Sequence, residues 1–412
     1  MCSLKISTGN QINCGLLSNG TVKCWGQNYY GQVGDGTTNQ AYTPQLVTGI
    51  TAAVDVSAAG NYSCAVLSNG TVKCWGWNGY GQLGDGTTTT RITPVTVSGI
   101  STATSLMQAN GAIHMCAILT DTSVQCWGYN SQGQLGDNTL VNKTTPVAVS
   151  GLTNVTHLTG GEEYTCARLS DGTVKCWGLN SLGQLGDATT TRRTTPVFTS
   201  GISNAVGVYA GRDSTFAVLS DGTVKSWGWN AFGKLGDGTS TDRTTPVLMT
   251  GISNAVNVGS RYYQTCILLT SGAVKCIGSR YQMSGYNYMG FGDGSKNYLS
   301  MSIPVPGITN AIKVTQGYSH TCALINDGTV KCWGDNYYGQ LGDGTYTNRS
   351  VPTSVLGVSG AIQVETSGLH TCAVIDDGTV KCWGHNQYGK LGDGTTTNRP
   401  TPITVSGILT AA

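Results

Sequence analysis

Fourteen of the fifteen cysteines fall in pairs ten residues apart: Cys14 and Cys24, Cys64 and Cys74, Cys116 and Cys126, Cys166 and Cys176, Cys266 and Cys276, Cys322 and Cys332, Cys372 and Cys382. Two chemistries suit such pairs, a disulfide or thiolate ligation of a metal shared between units. Between the fourth and fifth pairs a further site lacks both cysteines, with Phe216 and Ser226 in their place. Joint loss is what a bonded pair produces, whereas shared metal ligands would leave orphans, so disulfides are the favoured reading. Only Cys2 has no partner.

Other candidate chemistry is thinner. Asp35, Asp85, Asp137, Asp187, Asp237, Asp293, Asp343 and Asp393 are loop-borne carboxylates. There is one per unit, and an Asp in this setting commonly caps its own turn, so no metal is expected there. The histidines His114, His157, His320, His370 and His385 lie in no nucleophile, metal or phosphate motif. His320 and His370 are expected to make strand-end hydrogen bonds. The Gly-Asp-Gly loops lack the Lys and Ser/Thr of a phosphate loop. No catalytic residue and no cofactor is therefore expected, and the chain does not read as an enzyme.

The elements that position the cysteines repeat. The Gly after Trp (Ile277 in the sixth unit) falls at Gly26, Gly76, Gly128, Gly178, Gly228, Gly278, Gly334 and Gly384, in steps of 50, 52, 50, 50, 50, 56 and 50 residues. Such a period marks a repeat architecture. In the second unit Cys64 to Leu67 and Thr71 to Trp75 flank an Asn-Gly turn, a hairpin signal. A two-residue turn at Asn69 and Gly70 would pair Ser68 with Thr71 and put Cys64 and Cys74 on opposite faces. A three-residue loop with Gly70 left-handed instead pairs Leu67 with Thr71, and hence Cys64 with Cys74, within reach of a disulfide. Adding Ala53 to Ser57 before it and Pro94 to Val97 after it gives four strands per unit. Eight such units read as an all-β fold, a β-propeller of eight four-stranded antiparallel blades (seven being the alternative) with a disulfide in most hairpins. One domain spans residues 1–412, and its ends are expected to meet where the ring closes.

Charged residues make up 11% of the chain and the net charge is +2. No broad field draws in nucleic acid or an anionic membrane, so neither is an expected partner. No apolar run is long enough to span a bilayer. Seven disulfides imply an oxidising compartment, so the chain is expected to be secreted or at the cell surface, the periplasm being possible. Met1 and Cys2 directly before a repeat read as a mature or excised domain with a start codon added.

The motifs Asp-Gly-Thr-Val, Trp-Gly-x-Asn and Gly-Gln-Leu-Gly-Asp-Gly-Thr, complete between Gly317 and Thr345, resemble the regulator of chromosome condensation repeat family across nearly the whole chain. The resemblance implies a propeller, commonly of seven blades. The founding member is a nuclear exchange factor for a small GTPase that also binds nucleosomes, but this chain has cysteines and no evident basic segment. In character it is closer to secreted bacterial members such as the β-lactamase inhibitory protein, which use aromatic loop residues on one face.

Strands that run up and down in order put the first-to-second and third-to-fourth connections on one face and the Asn-Gly turns on the other. Residues common to nearly every unit, such as the Trp before the Gly in seven of the eight, are expected to pack between blades. The aromatics at Tyr30, Tyr80, Phe232, Tyr338 and Tyr388 recur, which favours loop packing. The position after Trp-Gly instead holds Gln27, Trp77, Tyr129, Leu179, Trp229, Ser279, Asp335 and His385. A scaffold role would keep its type steady, so this varied ring is the candidate binding surface. The expected contacts are Trp77, Tyr129, Trp229, Tyr262, Tyr263, Asp335, Tyr337 and His385, joined by Tyr281, Tyr286, Tyr288 and Met289 from a sixth unit six residues longer than its neighbours. Exposed aromatics among a few charges suit a protein-binding hot spot or a sugar-stacking platform. The expected function is an extracellular, non-enzymatic module that binds a protein. The alternatives are a lectin-like propeller and a structural subunit of a surface appendage.

Overall fold

The computed structural model describes residues 5–109, 112–261, 263–278, 292–293 and 299–408. It forms eight antiparallel blades, each a meander of four strands in sequence order. The second blade is representative, with strands Ala53–Ala58, Tyr62–Leu67, Val72–Gly76 and Arg91–Thr96. Its hairpin has the register expected of a three-residue loop. Leu67 N donates to Thr71 O at 2.8 Å, Cys64 pairs with Cys74, and Gly70 has φ +79°. Asn69 Oδ1 accepts from Thr71 N and Thr71 Oγ1, which fixes the turn.

All seven cysteine pairs face one another across the hairpin, Cα atoms 4.1 Å apart, and their sulfurs are bonded. In the fifth blade Phe216 pairs with Ser226, whose hydroxyl donates to Leu235 O at 2.6 Å. The same space is thus filled without a bridge. Closing so short a loop contributes about 2–3 kcal/mol per bridge in the chain-entropy account. Thiol titration of the unreduced chain, unfolded in denaturant, is expected to count at most the thiol of Cys2. Fourteen free thiols would show that the hairpins are not stapled.

The first strands surround the axis, and most lie against those of the blades on either side. The fourth strands form the rim, where Pro44, Pro94, Pro146, Pro196, Pro246, Pro352 and Pro402 sit in the outer edge and remove backbone donors that could pair with another chain. Two features depart from expectation. The fourth strand of the second blade begins at Arg91 rather than near Pro94, because it bulges between Val95 and Arg91, opposite Cys74 and Gly76, so that Arg91 still pairs with Gly76. The third unit's two extra residues also form a short strand, Gln108–Ala109, which pairs in parallel with Thr159 and Gly160 on the inner edge of the fourth blade.

Trp25, Trp75, Trp127, Trp177, Trp227, Trp333 and Trp383 are wholly buried between blades. Trp75 Nε1 donates to Gln32 O of the preceding blade at 2.8 Å, and Trp25 reaches Lys390 O of the eighth blade at 2.9 Å. Gly34 in the preceding loop accommodates the indole: a Cβ there would lie 2.7 Å from Trp75 Cδ1, and φ is +78°. At the sixth blade Ile277 takes the indole's place against Gly236. The ring closes blade against blade. Besides the Trp25 contact, Gln363 Nε2 donates to Ile6 O at 2.9 Å, and one hydrophobic cluster joins Ile12 and Trp25 to Val374 and Cys382.

Candidate functional site

Backbone hydrogen bonds establish the two faces. Trp77 N donates to Asn61 O, Trp229 N to Asp213 O and His385 N to Leu369 O, so the described varied-ring residues lie beside their blades' first connections. On the other face the hairpin turns meet the links between blades, as Ala53 N donates to Gly20 O.

A buried asparagine organises the long loop of every blade but the sixth, whose loop lies largely outside the described residues. Asn78 Oδ1 accepts from Leu83 N at 2.9 Å, while Asn78 Nδ2 donates to Thr87 O, Thr89 O and Asp85 Oδ1. Asp85 accepts from Thr87 N and Thr87 Oγ1, and its other oxygen takes Arg91 Nε at 2.8 Å. These bonds hold the Asp85 carboxyl below its ordinary value, although burial opposes the shift most strongly. The carboxylate is a loop cap, and among the described residues no group of three potential metal ligands occurs.

The loops carry one aromatic layer in three arcs. In the first, Tyr388 meets Tyr29 at 6.0 Å between ring centres, Tyr30 meets Trp77 at 6.2 Å, Trp77 meets Tyr80 at 5.3 Å, and Tyr80 meets Tyr129 at 4.8 Å. This arc runs from the eighth blade through the first and second to the third. The second joins Trp229, Phe232 and Tyr263 edge to face at 5.1–5.8 Å. The third joins Tyr337 to Tyr338 at 4.8 Å and Tyr338 to His385 at 4.5 Å. The recurring aromatics therefore lie between the varied ones, and the two rings form one surface. Tyr29 and Tyr337 are more than half exposed. Around the fourth blade the layer gives way to Leu179 and to Glu162, which pairs with Arg212 of the fifth blade at 3.1 Å.

Of the sequence candidates, Trp77 and Tyr129 lie in the first arc, Trp229 and Tyr263 in the second, and Tyr337 and His385 in the third. Asp335 differs from the ring, being only 2% exposed. Its carboxylate accepts from Gln340 Nε2 at 2.7 Å and from Ser319 Oγ at 3.2 Å, and burial raises its pKa. It braces the loop under Tyr337. Tyr262, Tyr281, Tyr286, Tyr288 and Met289 lie outside the described residues.

Residues 3–265 match the RCC1-like domain, and residues 311–340, 361–390, 327–374 and 377–410 match the regulator of chromosome condensation (RCC1) repeat. This chain belongs to the RCC1-like repeat family. The RCC1-like fold is shared with human WBSCR16, at 19% identity and TM-score 0.65 over 82% of this chain and 94% of that one. It is also shared with Prp20p from Saccharomyces cerevisiae, described with its binding to Gsp1p and histones, at 20% identity and TM-score 0.64 over 89% and 91%. Yeast RCC1 (Prp20) bound to Kap60 gives 18% identity and TM-score 0.62 over 98% and 84%. Identity at this level carries the fold, and within that fold this RCC1-like chain has eight blades.

Three histidines of the RCC1-like ring bridge blades. His114 Nε2 and Thr165 Oγ1 lie 2.8 Å apart, His320 Nε2 and Thr371 Oγ1 2.9 Å, and His370 Nε2 and Asn13 Oδ1 2.9 Å across the closure. His320 and His370 thus make the expected strand-end bonds, and His114 makes the same one. Burial lowers His114 and His320 to about 3 and puts His370 well below its ordinary value. Each group's folded pKa lies below its unfolded one, so the stability it contributes is present above about pH 6.5 and is lost as pH falls towards the folded value. The loop carboxylates such as Asp85 are held low and act below this window, whereas Asp213 and Asp335, raised by burial, oppose the loss as they protonate. Stability is expected to fall between pH 6.5 and 5 by about 1.4 kcal/mol per pH unit for each fully buried histidine. Denaturation at each pH checks this: H114Q/H320Q/H370Q should flatten the slope, and an unchanged slope would contradict it.

Two buried lysines replace the usual loop glutamine and carry no sequence signal beyond that change. Lys234 is inaccessible to solvent with its ammonium 5.3 Å from the centre of the Trp229 ring, and burial brings it down to about 7 against the pull of Asp213. It supports Trp229 from beneath. Lys390, also lowered by burial to about 7, points to Asn10 O and Gln11 Oε1 at the ring closure.

Proposed function

We propose that this RCC1-like propeller is an extracellular, non-catalytic binding module whose aromatic loop face receives a protein partner. The observation that carries the reading is the aromatic layer. Side chains from consecutive blades, about 50 residues apart in sequence, converge on one face as half-exposed rings in edge or tilted contact. Such rings give large contact area at low entropic cost and are enriched at interface hot spots. The turn face offers no comparable cluster among the described residues, and the rim strands carry prolines that oppose edge pairing. Buried disulfides in seven blades favour an oxidising compartment and hence a secreted or cell-surface setting. The partners named for Prp20 are proteins, which favours a protein here.

The class of partner is tested by presenting the intact chain both to soluble proteins from its extracellular surroundings and to a glycan array. Saturable capture of a protein with no glycan retained is the expected result. Retention of glycans alone would overturn the protein reading in favour of a lectin.

A further inference from the structure

The first strands enclose an axial cavity of about 400 Å³ that is distinct from the aromatic layer. At two blade boundaries a lysine on its wall meets a carboxylate from the following blade: Lys5 pairs with Asp55, and Lys313 with Glu365. Between the fourth and fifth blades the cation is present and the acid is not. Arg168 stands directly across from His157, which lines the cavity. The other seven blades hold an aliphatic residue at the Arg168 position, as at Val66 and Leu268. Where the second blade has Asp55 and Ser57, the fifth has Gly207 and Tyr209.

Arg168 is half-buried. Its Nε has no partner, and its two terminal nitrogens, which solvent reaches, make no hydrogen bond or ion pair among the described residues. Burial lowers the His157 pKa, and the Arg168 charge lowers it further. The Tyr209 hydroxyl, raised by burial and lowered by Asn257 and then by Arg168, donates to Val256 O at 3.4 Å. Among the described residues no carboxylate acts on either group. His157 and Val256 lie near the starts of their first strands, at the turn-face end of the cavity.

A guanidinium held partly out of water without a counter-charge favours an anion supplied from outside. With Nε closed off, the terminal nitrogens are offered end-on, as a pair that matches the two oxygens of a carboxylate. His157, neutral above about pH 6.5, adds a hydrogen bond and no second charge. The site therefore balances a single negative charge, whereas a phosphate carries about two. The volume falls within the range of small-molecule sites.

We propose that the turn-face end of the axial cavity binds a small free carboxylic acid, its carboxylate held by Arg168 and His157 beside the Tyr209 ring. This end lies opposite the aromatic layer, so this reading and the protein-binding one fail separately.

The test is calorimetric titration of the full chain, in a carboxylate-free buffer at about pH 7.5, with acetate, benzoate and succinate, beside neutral benzamide and inorganic phosphate. At least one carboxylate is expected to bind at one site per chain, weakened about tenfold or more in Arg168→Leu and unchanged in Trp77→Ala. Leucine already stands at this position in Leu268 and Leu324, so the core accepts it. A second variant, Gly207→Asp with Tyr209→Ser, copies the second blade and supplies an internal carboxylate, which should weaken binding as much. The atoms nearest a Cβ at Gly207 belong to the Tyr209 side chain that this variant removes. No carboxylate bound at millimolar concentration would overturn the proposal. So would benzamide or phosphate binding as tightly as the carboxylates, wild-type affinity in either folded cavity variant, or loss of binding in Trp77→Ala.

Discussion

Replacing Trp75 by Ala is expected to destabilise the propeller by about 3–5 kcal/mol, the usual cost of emptying a large buried aromatic site. The indole fills the seam between the first and second blades, its Cδ1 and Nε1 beside Gly34, and is wholly buried. Its removal also leaves Gln32 O without the donor that now lies at 2.8 Å. The surroundings cannot easily collapse into the space, because the loop carrying Gly34 is fixed by the Asn28 bonds to Val33 N and Asn39 O. Denaturant unfolding of the oxidised chain measures the loss. A change below about 1 kcal/mol, typical of surface sites, would show that the indole does not hold the blades together.

The second large effect is on binding. Truncating Trp77, Trp229 and Tyr337 to Ala together is expected to weaken partner binding at least a hundredfold, since two or three hot-spot aromatics commonly carry about 2 kcal/mol or more each. These three sample all three arcs and are only partly buried, so the melting temperature should shift little. The contrast with Trp75, two residues before Trp77, is the point. Trp75 points into the blade seam, where its loss costs stability, and Trp77 lies in the loop layer, where its loss costs affinity. Wild-type affinity in the triple variant would remove the aromatic layer from the function.

Much of this was legible in the sequence because it is local or repeated. The joint change at Phe216 and Ser226 identified the bridges, and the cysteines chose, of the two registers an Asn-Gly turn allows, the one that brings Cys64 opposite Cys74. The position after Trp-Gly could be placed on one face from strand direction alone. What stayed hidden depends on groups that meet only when blades stack. Tyr30 and Trp77 touch across a blade boundary, so the recurring aromatics read as loop packing although they complete the varied surface. Asp335 read as a contact because its type varies, whereas bonds from Gln340 and Ser319 draw it inward. Asn78 belongs to a visible motif, but its hub role needs a carbonyl eleven residues away to fold back onto it. The strand Gln108–Ala109 arises from two extra residues whose partner is in the next blade, which spacing could register only as a longer step.

The most direct test is to titrate a captured partner against two variants of the intact chain. One carries Trp77→Ala, Trp229→Ala and Tyr337→Ala on the loop face. The other carries Leu46→Ser, Phe198→Ser and Leu248→Ser, exposed apolar residues of the rim strands. Affinity is expected to collapse in the first and remain at the wild-type value in the second. The reverse, with binding kept by the loop-face variant and lost in the rim variant, would contradict the account and move the function to the blade sides.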